Sequence, residues 1–114
     1  MNETISCSKG ALLDTWSGHL WKDGLQLETL DDLATLRIIT ENSTYDITVI
    51  CPGTGDILVR GGRFFPELCE ARLAGSSMGG SFLKVRGIYV GFRLELHTED
   101  QLIVTSRVRS IEVL

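Results

Sequence analysis

Residues 88–97 have the sequence IYVGFRLELH, which is the longest regular alternation of apolar residues in the chain. Its apolar residues alternate with residues that are polar or small, and they are Ile88, Val90, Phe92, Leu94 and Leu96. Successive side chains of a β-strand point to opposite faces of a sheet, so a period of two describes a strand with one buried face. We therefore expect one long regular strand over residues 88–97.

Shorter segments with the same alternation lie on both sides of this strand. Residues 45–51 alternate before a Pro-Gly turn at 52–56. Thr29-Leu30-Asp31-Asp32 has the form of a helix capping box and predicts one short helical turn near residues 29–33. Six to eight short, closely spaced strands are typical of an all-β fold. We expect a small barrel or sandwich, and an SH3-like barrel is one form that fits.

Glycines predict where the strands are interrupted. The segment Gly75–Ser81 is rich in glycine and serine and predicts a flexible loop. Gly87 stands where the apolar phase reverses, which suggests a β-bulge or a sharp bend. Near the end of the chain we expect two separate strands at 102–105 and 110–113, joined by residues 106–109.

The length and composition suit one domain. The chain has 114 residues, of which 43% are apolar. We assign residues 1–26 to an N-terminal tail and packing segment, and residues 27–114 to a single β domain. Three cysteines without C-x-x-C spacing fit a reduced protein better than a disulfide scaffold. Because no stretch approaches the ~20 apolar residues of a membrane helix, we expect a cytoplasmic protein with no membrane contact.

Charge is unevenly distributed along the chain. Residues 1–50 hold eight acidic and three basic residues, whereas residues 51–114 hold seven acidic and eight basic ones, nearly all arginine. Guanidinium groups suit phosphate and carboxylate, and Phe64 and Phe65 follow two of them closely. We therefore take four arginines as candidate ligand-binding residues, namely Arg60, Arg63, Arg86 and Arg93. The competing interpretation is that these arginines are solvated on ordinary strand faces.

No pattern of residues predicts catalysis. Gly75-Ser76-Ser77-Met78-Gly79 matches G-x-S-x-G, but strand and loop residues follow it where a hydrolase needs a helix. The cysteines and histidines lack metal-ligand spacing, so we expect neither a metal nor a cofactor. Cys51 continues an apolar face and is expected to be a core residue.

Two functions are compatible with these features. The first is a non-catalytic β-barrel interaction module that acts through protein contacts. The alternative is a module that binds an anionic ligand or nucleic acid through an arginine-rich face. Self-association as a homodimer or larger ring would follow if the strand over residues 88–97 left an edge unpaired, or if the apolar N-terminal segment around Trp16 and Trp21 contacted a second copy.

Overall fold

The computed structural model describes residues 23–78 and 82–114. These residues form nine β-strands and one 3-10 turn at Leu27–Thr29. The strands are β1 (Gly24–Gln26), β2 (Thr35–Thr40), β3 (Thr44–Cys51), β4 (Asp56–Gly61), β5 (Phe65–Ser77), β6 (Leu83–Val85), β7 (Gly87–Tyr89), β8 (Arg93–His97) and β9 (Leu102–Val113).

Six of the strands close into a barrel, as the sequence predicted. The order β4-β3-β2-β9-β8-β5 is antiparallel throughout, and a further pairing of β4 with β5 closes the ring. β6 extends the sheet from β5, and β1 pairs with β7 in a small second sheet. Two long strands, β5 with 13 residues and β9 with 12, each pair with different neighbours along their two halves.

The core lies inside this ring. On β2 and β3 the alternating residues Leu36, Ile38, Ile47 and Val49 are buried, so their polar neighbours face outward. Phe65 closes one end of the core and meets the ring of Tyr45 edge-on, with 6.5 Å between the ring centroids. Burial of this apolar face is the main force that fixes the register of the strands.

The expected long strand over residues 88–97 is wrong, because the chain turns at residues 90–92. β7 ends at Tyr89, Gly91 adopts φ +94°, and the Phe92 N–H donates to the Tyr89 carbonyl at 3.2 Å. Both Tyr89 and Phe92 are buried, while Val90 is half-buried. β8 is paired on both edges, by β5 and by β9. It therefore has no free edge of the kind that the self-association argument required.

Two further expectations differ from the structure in where strands end. Gly75–Ser77 belong to β5 rather than to a loop, and Ser76 and Ser77 are buried. Residues 106–109 continue β9 without interruption. The helical turn is present, but it lies slightly before the expected residues 29–33, because Thr29 ends the turn with its hydroxyl donating to the Gln26 carbonyl at 2.6 Å. Residues 1–22 and 79–81 lie outside the described residues.

Candidate functional site

An open groove of about 1180 Å³ crosses β5 where the barrel wall is incomplete. Pairing between β5 and β8 ends at Arg72 opposite His97, whereas β5 begins seven residues earlier at Phe65. After His97 the chain turns away into β9, and the turn at 98–101 forms the facing wall of the groove. The groove thus results from the unequal lengths of β5 and β8.

The backbone of β5 presents an edge to this groove. The Leu73 N–H donates to the Gly55 carbonyl on the β4 side at 2.8 Å. Antiparallel hydrogen bonding alternates along a strand, so the backbone N–H and carbonyl of Glu70 point away from β4, and the carbonyl accepts a contact from Cys69 Sγ at 3.3 Å. Among the described residues no strand pairs with them there. Pro66, which lacks an N–H, sits where such an edge tolerates proline.

The floor of the groove reaches the inner face of the barrel. Phe65, Leu73 and Ile103 line it and are buried. Cys69 and Ala71 lie on the same inner face of β5 but are only half-buried, because β8 does not cover them. Apolar surface is therefore accessible between the strand edge and the turn at 98–101.

Phe64 supplies an exposed aromatic ring at one end of the groove. It is 49% exposed and lines the groove, whereas its neighbour Phe65 is 1% exposed and belongs to the core. An exposed phenylalanine beside a groove is the arrangement that a binding role requires, and burial of both rings would have favoured a purely structural role.

Arg72 and Arg86 converge on the opposite end of the groove, where Gly55 separates them. A Cβ built on Gly55 would lie 3.5 Å from the Cγ atoms of both arginines and 2.6 Å from the Leu73 carbonyl. Gly55 also adopts φ +86°, which favours glycine. The two arginine stems therefore flank a position that a larger residue would obstruct.

Arg86 is held in an unusual backbone conformation. Its φ is +57°, which is uncommon for a residue with a side chain. Its N–H donates to the Ala74 carbonyl at 2.8 Å, and its carbonyl accepts from the Leu27 N–H at 2.9 Å. These two bonds, on either side of the corner between β6 and β7, keep the residue in place. Such strain is common at functional sites, where the surrounding structure over-determines it.

A chain of polar contacts supports Arg86 from behind. The Tyr89 hydroxyl donates to Gln26 Oε1 at 3.0 Å, and Gln26 Nε2 donates to the Val85 carbonyl at 2.9 Å. Burial, together with the nearby charge of Glu28, raises the pKa of Tyr89 above its ordinary value of 10.0. Burial tends to raise the pKa of Glu28, but hydrogen bonds from its own backbone and Gln26 and the charge of Arg86 lower it overall.

The rest of the groove is acidic. Glu99 and Asp100 lie in the turn between β8 and β9, and Glu70 lies on β5. Asp56 faces Arg72 with 3.7 Å between Oδ1 and Nε, and His97 lies opposite Arg72 in the register. The groove therefore has a basic corner at Arg72 and Arg86 and an acidic wall across from it.

The four arginines predicted as candidates do not form one patch. Arg60 and Arg63 are exposed near the Phe65 end of β5, and Arg60 lies 3.9 Å from Asp46. Arg93 lies opposite Ser77 at the other end of β5, a strand that spans roughly 40 Å if straight. Of the four, only Arg86 lines the groove. Arg72, which flanks Gly55 together with Arg86, was not among the candidates. The alternation of Glu70 and Arg72 with apolar residues does indicate that the Arg72 side chain faces away from the core.

The described residues show no arrangement that suits catalysis by the motifs considered above. Ser77, the serine of the G-x-S-x-G match, is 1% exposed within β5 rather than on a strained turn before a helix. Cys51 and Cys69 are free and half-buried. Within residues 23–78 and 82–114, no three side chains of histidine, cysteine or acidic type are grouped to hold a metal ion. The same residues include no helix with the length and hydropathy to cross a membrane.

The described residues form a small all-β barrel with a groove beside an unpaired part of the β5 edge. Comparison with protein-family models found no match, and no curated protein and no solved structure is significantly similar to the chain.

Proposed function

We propose that this protein is a non-catalytic interaction module that binds an extended segment of a partner protein in the groove beside β5. The observation that carries the proposal is the backbone edge of β5 at Glu70, which opens onto the groove. Peptides recognised by strand addition gain affinity from main-chain hydrogen bonds and specificity from neighbouring pockets. The half-buried inner face at Cys69 and Ala71 offers such a pocket.

The charges of the groove support a protein segment over a polyanion. Four acidic residues line it, and a nucleic acid backbone would be repelled by them. They are Asp56, Glu70, Glu99 and Asp100. An extended protein segment can place side chains of opposite sign against the basic corner and the acidic wall. Complementarity of this kind selects the partner and its direction more than it raises affinity.

The test is selection of random peptides displayed on phage, followed by binding to two variants at one position. Glu70→Pro removes an edge N–H without removing a hydrogen bond to β4, while the matched control Glu70→Ala keeps the N–H. We expect selected peptides to bind Glu70→Ala normally and to bind Glu70→Pro several-fold to tenfold more weakly. Equal binding to both variants, or no selected peptide, would overturn the proposal.

A second measurement keeps this test decisive if Glu70→Pro fails to fold. A peptide that pairs with the edge must slow amide hydrogen exchange at Glu70 of the unmodified protein. Unchanged exchange at the Glu70 amide in the presence of a bound peptide would also overturn the proposal.

Two measurements test for other kinds of partner, namely an anionic ligand or nucleic acid, and a second copy of this chain. Retention on heparin that falls steeply with salt would favour the anionic-ligand or nucleic-acid alternative, which relies on Arg60, Arg63, Arg86 and Arg93. A mass that rises with concentration in light scattering for the unmodified chain but not for Glu70→Pro would identify a second copy as the partner. A constant mass near 12.6 kDa leaves a different protein as the partner.

We also infer that the module acts in the cytoplasm. The two cysteines that the structure describes are unpaired, as a reducing compartment would keep them. Fractionation of cells that express the full chain with an antibody-detectable tag tests this location.

A further inference from the structure

Two guanidinium groups at the basic corner of the groove make only long contacts with carboxylates. The side chain of Arg72 is 64% exposed, whereas that of Arg86 is 32% exposed. Arg72 Nε is 3.7 Å from Asp56 Oδ1, and Arg86 Nε is 3.5 Å from Glu28 Oε1. Arg86 Nε is moreover buried without a hydrogen-bond partner. A buried polar group left in this state needs an explanation.

Other arginines of the same barrel show what satisfied guanidinium groups look like. Arg37 Nε donates to Asp46 Oδ1 at 2.9 Å, and Arg93 Nη1 donates to the Thr105 carbonyl at 3.2 Å. Both sit away from the groove. Among the described residues, Arg86 Nε is the buried side-chain nitrogen that lacks a hydrogen-bond partner, and Arg86 lines the groove.

We infer that Arg72 and Arg86 together form a receptor for a carboxylate of the segment that binds beside β5. This inference rests on the proposed function and names the chemistry that its ligand must carry. The stems of the two side chains flank Gly55, so their terminal nitrogens can approach one group from two sides. Arg86 Nε is buried, but about one-third of the Arg86 side chain is exposed and Arg86 lines the groove. The exposed part therefore consists of side-chain atoms other than Nε.

A carboxylate of the ligand can replace the contacts that the two arginines make with Asp56 and Glu28. Asp56 and Glu28 stay close enough to balance the charge of the arginines, but their distances are too long for strong hydrogen bonds. An incoming carboxylate can make the short, charge-assisted bonds that guanidinium groups prefer. The strained φ of Arg86 is fixed by backbone hydrogen bonds, so little ordering is needed on binding.

The chemistry favours a carboxylate of a protein over the phosphate of a nucleic acid. A single carboxylate occupies only the basic corner, whereas a chain of phosphates would also run along Glu70 and the acidic turn. The segment that we infer therefore places an acidic residue, or its own terminal carboxylate, at Arg72 and Arg86.

The experiment uses three small probes and the full chain. The side-chain Nε–Hε signals of the arginines are followed by NMR during titration with blocked triglutamate, blocked triglutamine and inorganic phosphate. We expect triglutamate to shift the signals of Arg72 and Arg86, and triglutamine to leave them in place. Absence of a shift with triglutamate, or a response to phosphate but not to triglutamate, would overturn the inference.

Substitutions then distinguish a receptor from general charge attraction. Arg72→Gln and Arg86→Gln should each weaken triglutamate binding roughly tenfold, since each removes charge-assisted bonds. Arg60→Gln is the matched control on β4, and we expect a change of at most about twofold there because its surface charge is screened. An equal loss in Arg60→Gln would overturn the inference. If Arg86→Gln unfolds, Arg72→Gln and the titration of the unmodified protein decide.

Failure of the receptor and failure of the proposed function are distinguishable. Selected peptides that slow exchange at Glu70 but do not depend on Arg72 or Arg86 would leave the interaction module standing without its carboxylate receptor. Triglutamate binding in a protein that selects no extended peptide would show the reverse.

Discussion

Replacement of Ser76 by alanine tests how the small sheet is attached to the barrel. Ser76 lies in β5 and is fully buried. Its Oγ donates to the Gly87 carbonyl at 2.8 Å and accepts from the Tyr89 N–H at 3.2 Å. These groups belong to β7. The hydrogen bonds between β7 and β1 use the residues in between, so Gly87 and Tyr89 face β5, and the Ser76 hydroxyl joins β7 to β5.

The expected loss of stability follows from these two bonds. A buried donor or acceptor that loses its partner costs about 1–3 kcal/mol, so the alanine variant should lose about 2–5 kcal/mol. A chain of this length has a total stability of roughly 6–17 kcal/mol, so the variant should remain folded. The melting temperature should fall by roughly 8–20 °C.

Urea unfolding followed by circular dichroism measures the loss directly. The midpoint should fall while the slope of free energy against urea stays constant, and amide exchange at Tyr89 should accelerate. Ser110→Ala, at an exposed position on β9, is the control and should leave the midpoint unchanged. A Ser76→Ala variant within ~0.5 kcal/mol of the unmodified protein would refute the reasoning, since that is the range of neutral surface substitutions.

Four further substitutions test other parts of the fold. Gly61→Ala should lose at least about 2 kcal/mol in urea unfolding, because Gly61 has φ +141° and a Cβ there would overlap the Thr44 carbonyl oxygen. The raised pKa of Tyr89 means that its contribution to stability is complete below pH 10 and is lost as pH rises through the folded pKa, so Tyr89→Phe should flatten the alkaline part of a plot of stability against pH. Phe92→Asp should abolish the cooperative melt seen by circular dichroism, because an unpaired buried carboxylate costs several kcal/mol. Val90→Asp should be milder because Val90 is half-buried, and equal damage from both would contradict the burial that separates them.

Local alternation predicted the fold class well, but it did not predict where strands end. The period of two over residues 45–49 corresponds to a strand that is buried on one face. Residues 88–97 have the same period of two but contain a turn. Gly91 fits the alternating pattern of a strand, yet as a glycine it can also adopt the positive φ of a turn. At Gly75–Ser77 the opposite error arises, since small residues typical of a loop are held in a strand by two neighbours, β6 and β8.

The candidate site could not be predicted from the sequence pattern, because its position depends on how the strands pair. Arg86 could be singled out as one of several arginines, but Arg72 lies fourteen residues earlier on β5, and the two are close because both flank Gly55. The groove exists because β5 extends beyond the end of its pairing with β8. The sequence does not show this difference in strand length, because it depends on which strands pair and in which register. Phe64 and Phe65 look alike in sequence, and only the position of the turn before β5 exposes one and buries the other.

The closure of the barrel has a consequence for how fast the protein folds. β2 pairs with the second half of β9, so residues roughly seventy positions apart must meet before the ring exists. Loop-closure entropy opposes that meeting, and no local helix compensates for it early in the reaction. The protein should therefore refold in milliseconds to seconds rather than microseconds, as all-β domains with distant pairings do. Until β2 and β9 meet, apolar strands remain exposed, and crowded conditions during synthesis would make this interval the one in which the chain aggregates.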